Sequence, residues 1–147
     1  MTPEFQKIQQ QGKDYIVAVV VATEVPPDSP DMEFRAVLDV MRNRSKLWGL
    51  SLVEVVLAPR QFSAVCREAY WRRASAGLWI PAHVERAFGF VQRDWSDTVA
   101  GATHYFSPIS MEPKGSEPGW IKGMEEVFPP GVRLDYFRFF KGEGPRA

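Results

Sequence analysis

The stretch Tyr15–Ala22 consists of YIVAVVVA, eight apolar residues without a break, and the letters TEVPP follow it directly. A run of this kind has no polar face, so it must be buried on most sides. Its five β-branched residues favour a strand, while its length fits either a strand or a helix. Pro26 and Pro27 end whichever element forms, because proline has no backbone N–H and restricts the residue before it.

Glu24 lies where this buried run ends. A carboxyl group at the rim of an apolar wall is partly removed from water, and this favours its protonated form. A glutamic acid that keeps its proton near neutral pH can act as a general acid. From this stretch alone, a solvated glutamate at the end of an element is the more common case. Glu24 is therefore a candidate catalytic acid that needs support from the rest of the chain.

Length and composition predict one folded domain without cofactors. The chain has 147 residues, 45% of them apolar, which is enough for a single core. Eighteen basic and eighteen acidic side chains cancel, so the basic excess typical of nucleic-acid-binding proteins is absent. One cysteine, Cys66, cannot form an intrachain disulfide. With only His83 and His104 besides, a zinc site lacks ligands unless carboxylates contribute. We expect a monomer with no metal, no cofactor and no nucleic-acid partner.

The N-terminal segment is polar and does not resemble a signal peptide. No apolar run in the sequence approaches the roughly 20 residues that a membrane-spanning helix needs. The sequence therefore predicts a soluble protein that is made in the cytoplasm and does not bind membranes.

Most of the chain has helical patterns. Thr2 and Pro3 are typical of a helix start, and a short amphipathic segment follows as far as Gly12. Further helices are predicted over 32–46, 51–57, 64–75 and 81–93, the second of these opened by a capping box, Ser51 with Glu54. On the helix over 32–46 the charged residues define a polar face: Glu33, Arg35, Asp39 and Arg42.

The character of the sequence changes after Asp94. The segments Thr103–Phe106 and Tyr136–Phe140 are short and aromatic, and we expect them to pair as strands beside the helical part. The predicted fold class is therefore α+β, mainly α, with a small antiparallel β element.

Four stretches occur in order along the chain: TEV at 23–25, AVLDVMRNR at 36–44, QFSAV at 61–65 and GATHYF at 101–106, followed by Trp120. Their order and spacing resemble the SleB-type cell wall hydrolases, the spore-cortex-lytic enzymes and their phage relatives. The resemblance covers roughly residues 15–140. It implies a lysozyme-like or lytic-transglycosylase-like single catalytic domain spanning residues 1–147.

The resemblance also implies an activity. Members of this family cut the glycan strand of peptidoglycan between N-acetylmuramic acid and N-acetylglucosamine. In their motif a helix ends in Glu-Ala-x-Gly-Glu, and the first glutamate is the catalytic acid. Glu24 matches that position, which implies that residues 15–23 are helical. Val25, Pro26 and Pro27 depart from the motif, and Asp28 is only a loose counterpart of its second glutamate.

Two mechanisms are open for such an acid. A glycoside hydrolase uses a second carboxylate. A lytic transglycosylase uses the C6 hydroxyl of the sugar itself and releases a 1,6-anhydro product, with the glutamate returning as base. The nearby acids Asp28, Asp31 and Glu33 lie where acids commonly cap a helix. This favours the mechanism with one acid.

The remaining stretches supply candidate substrate-binding residues. Gln61 and Ser63 can hydrogen-bond sugar hydroxyls or acetamido groups, or they can cap their own loop. Thr103 and Tyr105 lie two apart on the predicted strand, so both side chains point to one face and would position the substrate. Trp120 would stack on a sugar ring or belong to the core.

Three other residues in these stretches have a structural interpretation: Asn43, Arg44 and His104. The expected function is that of a peptidoglycan-degrading phage endolysin, held in the host cytoplasm until release. The alternatives are an amidase or peptidase that cuts the stem peptide, using Cys66 with His83 or His104, and a non-catalytic module that binds the cell wall or a protein partner.

Overall fold

The computed structural model describes residues 2–58 and 81–142. Within these residues the α-helices are α1 (Pro3–Glu24), α2 (Asp31–Trp48), α3 (Leu52–Leu57) and α4 (Pro81–Val91), and the strands are β1 (His104–Phe106), β2 (Glu125–Val127) and β3 (Arg138–Lys141). The chain divides into two compact units. The first contains residues 1–27 and 50–95, and the second contains residues 28–49 and 96–147. A mainly helical chain with a small antiparallel sheet confirms the predicted α+β class.

In the first unit, α1 is one continuous helix. Thr2 caps it by accepting a hydrogen bond from the Phe5 backbone N–H, and Pro3 is its first residue, as predicted. The expected stop at Gly12 is wrong, because the helix continues to Glu24. A glycine inside a helix costs only about 1 kcal/mol, and the apolar second half of α1 packs on α3 and α4.

The apolar run is therefore helical. The family resemblance implied a helix here, whereas the β-branched composition favoured a strand. Residues 17–22 are all buried. The ring of Tyr15 lies edge-on to Phe88 of α4 with a centroid distance of 6.1 Å. The predicted capping box at the start of α3 is confirmed, since Ser51 and Glu54 exchange side-chain to backbone hydrogen bonds.

In the second unit, α2 ends later than the sequence predicts. It continues past Lys46 to Trp48, and Gly49 closes it in the left-handed conformation with φ 66°. Its first turn has no side-chain cap, since Pro30 is the N-cap residue. The predicted polar face of this helix is wrong at two positions, because Glu33 and Asp39 are buried.

The sheet of the second unit has the strand order β1-β3-β2, and both pairs are antiparallel. The predicted pairing of the two aromatic strands is confirmed, with His104 opposite Phe140 and Phe106 opposite Arg138. The third strand, β2, was not predicted. Its register is fixed in part by Arg138, which binds Glu126 on β2 at 2.8 Å.

None of the helices within residues 2–58 and 81–142 is long and apolar enough to cross a membrane.

The carboxylate of Glu33 anchors the C-terminal part of the chain to α2. Arg133 donates from Nε and Nη2 to its two oxygens at 2.9 and 2.8 Å, and from its backbone N–H at 3.0 Å. Nη2 also donates to Ser29 at 3.1 Å, and the guanidinium lies over the ring of Tyr136. Burial raises the pKa of Glu33, but the hydrogen bonds from Arg133 and Ser29 and the charge of Arg133 outweigh it. The pKa is therefore lower than the ordinary 4.5.

We expect Glu33→Gln to lower the free energy of unfolding at pH 7 by about 1–3 kcal/mol, because Arg133 loses a buried acceptor and its counter-charge. Since the pKa of Glu33 is lowered in the folded state, wild type should keep its full advantage above about pH 4.5 and lose it as the pH falls further. Denaturant titrations between pH 3 and pH 7 measure both effects.

Asp28→Asn is the matched control for this variant. Asp28 is also near Arg133, with its Oδ2 4.0 Å from Nη1, but its side chain is 76% exposed. A solvated pair of this kind contributes at most about 1 kcal/mol. Equal destabilisation by the two variants would contradict the assigned role of Glu33.

Candidate functional site

Glu24 is the last residue of α1 and is half-buried. Its neighbours in the chain, Ala22 and Val25, are almost fully buried. The final helical turn is regular, since the Val25 N–H donates to Val21 O at 2.9 Å and the Thr23 hydroxyl donates to Val19 O at 2.9 Å. The carboxyl group thus leaves the chain where a buried helix ends, as the sequence predicted.

His83 of α4 contacts the same helix end. Its Nε2 lies 2.9 Å from Ala22 O and 2.8 Å from Val25 O, and the residue is 6% exposed. One turn later on α4, Arg86 Nη1 lies 3.5 Å from Pro27 O. Local sequence patterns do not indicate these contacts, because they join residues about 60 positions apart.

These contacts bear on the alternative of an amidase or peptidase. A Cys–His pair needs a histidine nitrogen that can take a proton from the thiol. Nε2 of His83 is engaged by two backbone carbonyl groups, so this nitrogen is not placed to take that proton. Cys66 lies outside the described residues.

In the second unit, Asn43 and Arg44 of α2 hold the segment that leads into β1. Asn43 Nδ2 donates to Ala102 O at 2.9 Å and to Asp97 Oδ2 at 3.2 Å. Arg44 is 5% exposed, donates from Nε to Thr103 O, and has its guanidinium 5.6 Å from the centre of the Trp48 ring. Both residues are structural, as expected, and two of the four family-like stretches are in direct contact here.

A pocket of about 420 Å³ lies beside these bonds in the second unit. Two of its lining residues, Lys46 and Lys141, are basic. Gly101 has a φ of 84°, and a Cβ at this position would lie 3.3 Å from Lys141 Cε, so a larger residue would narrow the pocket and strain the backbone. The lining residues are Asn43, Lys46, Leu47, Gly101, Thr103, Lys141 and Gly142.

Thr103, a predicted substrate-binding residue, therefore lines this pocket, but its hydroxyl already has partners within the chain. Oγ1 donates to Gly142 O at 3.3 Å and lies 3.0 Å from His104 Nδ1. Thr103 and His104 are both buried. The structural role expected for His104 agrees with this position.

Tyr105 and Trp120, which were also predicted to bind substrate, lie among aromatic side chains. Trp120 is half-buried, and its ring centre is 5.1 Å from that of His104 and 5.6 Å from that of Phe140. Tyr105 contacts the rings of Phe137 and Phe139. Packing accounts for both rings, and their contact with substrate stays a prediction.

Two predicted site residues, Gln61 and Ser63, lie outside the described residues, as does the helix predicted over 64–75. Glu24 belongs to the first unit, and Thr103, Tyr105 and Trp120 belong to the second. In the described part of the chain, no group of three or more His, Cys, Asp or Glu side chains could hold a metal ion.

Comparison with known proteins places the chain in a family. A family model described as Cell Wall Hydrolase matches residues 29–128, more than half of the 147 residues. The chain therefore belongs to the cell wall hydrolase family. This is the SleB-type family, so the resemblance to it is confirmed, and three of the four stretches lie within the matched residues.

The matched segment contains Asn43, Arg44 and the stretch 101–106, and it begins after Glu24. A search of the curated proteins found no match, and neither did a search of the solved structures. Assignment of the acid therefore depends on the motif and on the position of Glu24 in the fold.

We expect Thr103→Val to lower the free energy of unfolding by about 1 kcal/mol, because Gly142 O and His104 Nδ1 lose a partner in a buried setting. Thr103→Ser keeps the hydroxyl, so its free energy of unfolding should fall by less than that of Thr103→Val. Thermal or denaturant midpoints of the three proteins measure the effect. A Thr103→Val protein as stable as wild type would show that these hydrogen bonds do not contribute.

Proposed function

We propose that this chain degrades peptidoglycan by cutting the glycan strand between N-acetylmuramic acid and N-acetylglucosamine, with Glu24 as the general acid. The observation that carries the proposal is the position of Glu24. This chain belongs to a cell wall hydrolase family. Glu24 is the half-buried last residue of α1 and follows its buried segment 17–22, and the resemblance of the sequence implies the catalytic glutamate at this position.

In this mechanism Glu24 donates its proton to the glycosidic oxygen as the bond to C1 of the muramic acid breaks. Positive charge then develops on C1 and the ring oxygen. The C6 hydroxyl of the same sugar attacks C1, and the Glu24 carboxylate takes up the proton of that hydroxyl. Glu24 ends the cycle protonated, and the product carries a 1,6-anhydro ring.

The surroundings of the other acids support a mechanism with one carboxylic acid. Glu33 is fully buried, and both of its oxygens are bound by Arg133. Asp31 and Glu33 lie in the first turn of α2, where negative charge stabilises a helix. Asp28 is exposed and near Arg133. Each of these acids has a structural explanation, so none is required as a second catalytic group.

The two lysines that line the pocket in the second unit also suit a cell wall substrate. Lys46 and Lys141 can attract carboxylates, and the stem peptides of peptidoglycan carry such groups. The lysozyme-like fold, the phage endolysin role and the cytoplasmic location expected from the sequence stay predictions.

Glu24→Gln should reduce the release of soluble fragments from purified peptidoglycan by about 10²- to 10⁴-fold, since an amide cannot donate the proton that the leaving group needs. Glu4→Gln is the control, because Glu4 lies in the first turn of the same helix and is exposed. Retention of wild-type activity by Glu24→Gln would refute the proposal.

Cys66→Ser separates the proposal from cleavage of the stem peptide. We expect this variant to keep its activity, because the glycan mechanism does not involve the thiol. If Cys66→Ser were inactive and Glu24→Gln active, the enzyme would be an amidase or peptidase. A protein that solubilises no peptidoglycan in any form would be a binding module.

Analysis of the products tests the mechanism with one acid. We expect mass spectrometry of the released muropeptides to show 1,6-anhydro-muramic acid ends. These ends are lighter than hydrolysed ends by about 18 Da, the mass of the one water molecule that hydrolysis adds. Reducing ends instead would indicate hydrolysis and a second catalytic carboxylate.

A further inference from the structure

The two prolines after Glu24 remove backbone donors from the end of α1. In an α-helix the carbonyl of residue i accepts a hydrogen bond from the N–H of residue i+4. For Ala22 and Thr23 these positions are Pro26 and Pro27, which have no N–H. Because Ala22 is only 3% exposed, water is a poor replacement, and a carbonyl group without a donor there would destabilise this helix end.

His83 supplies a donor at this point. Carbonyl oxygens only accept hydrogen bonds, so Nε2 must carry a hydrogen to bind Ala22 O at 2.9 Å and Val25 O at 2.8 Å. A single N–H shared by two acceptors is a common arrangement at helix ends. The same nitrogen therefore bonds to carbonyl groups on both sides of Glu24.

The clamp formed by His83 fixes the segment that carries the carboxyl group. Ala22 is the last-but-two residue of α1, and Val25 is the first residue after it. Arg86, on the same face of α4 one turn later, reaches Pro27 O at 3.5 Å. The departure of this chain from the family motif, Pro26-Pro27, is thus accompanied by a side chain from α4 that supplies a donor to Ala22 O, one of the two carbonyl groups affected.

We propose that His83 is a positioning residue for Glu24: its Nε2–H sets the direction in which the catalytic carboxyl leaves α1. This inference rests on the proposed function of Glu24. A displacement of a catalytic group by about 1 Å can reduce a rate about 100-fold, so loss of the clamp should act on turnover more than on substrate binding.

The test compares two variants of His83 with a control variant at Val84. His83→Leu removes the donor, and we expect kcat to fall at least about 10-fold while KM changes less than about 3-fold. His83→Gln places an amide N–H within similar reach and should recover most of the loss. Turnover is measured on fluorescently labelled peptidoglycan, at a temperature at which circular dichroism shows every variant to be folded.

Val84→Ala is the matched control for simple destabilisation. Val84 is the next residue on α4 and is 4% exposed, so its truncation leaves a cavity on the same helix while His83 itself is unchanged. We expect this variant to lower the unfolding midpoint and to keep the wild-type kcat. The proposal is overturned if Val84→Ala loses as much kcat as His83→Leu, if His83→Leu stays within twofold of wild type, or if His83→Gln is no better than His83→Leu.

Hydrogen exchange gives a readout that does not depend on activity. In His83→Leu the amide hydrogens of residues 19–25 should exchange faster than in wild type or in Val84→Ala, because the helix end loses its anchor. Unchanged exchange would overturn the clamp even if Glu24 is catalytic. Full activity of Glu24→Gln would instead overturn the proposed function, whatever the exchange of the His83 variants.

Discussion

The requirement that buried polar groups be hydrogen-bonded organises both units of this chain. In the first unit it brings His83 to the carbonyl groups of Ala22 and Val25. In the second it brings Arg44 to the carbonyl of Thr103, and Arg133 to the carboxylate of Glu33. Each bond joins segments that are far apart in the sequence. The positions of the helix end and of the strand that carry the candidate residues follow from such bonds as well as from apolar packing.

The contacts of Asn43 and Arg44 give a physical reason why two of the family-like stretches occur together. Their side chains bind backbone carbonyl groups of Ala102 and Thr103. They therefore fix the backbone of this segment, and these bonds do not depend on which side chains residues 102 and 103 carry. An amide and a guanidinium suit this task because both present N–H donors in a fixed plane. These residues support the wall of the pocket. Thr103, which forms part of that wall, is largely buried.

Local signals in the sequence were sufficient for the helix starts and the pairing of the aromatic strands, because capping residues and alternating side chains act over a few positions. They were not sufficient for α1, where β-branched residues favoured a strand and only the family resemblance indicated a helix. Periodicity also assigned Glu33 to a solvated face. The partner that makes its burial possible, Arg133, is 100 positions away. The position of Glu24 could be predicted, but the histidine that contacts its helix end could not.

The bond between Glu33 and Arg133 has a consequence for how the molecule is made. The second unit consists of two separate segments, 28–49 and 96–147, and the chain between them belongs to the first unit. During synthesis the helix that carries Glu33 emerges early, and its buried carboxylate must wait until Arg133 has been added. Contacts of such long sequence separation slow folding, because chain entropy is lost before the contact forms. Both segments of the first unit, 1–27 and 50–95, are made before residue 96, whereas residues 28–49 lack their partners in the second unit until its last segment has been synthesised.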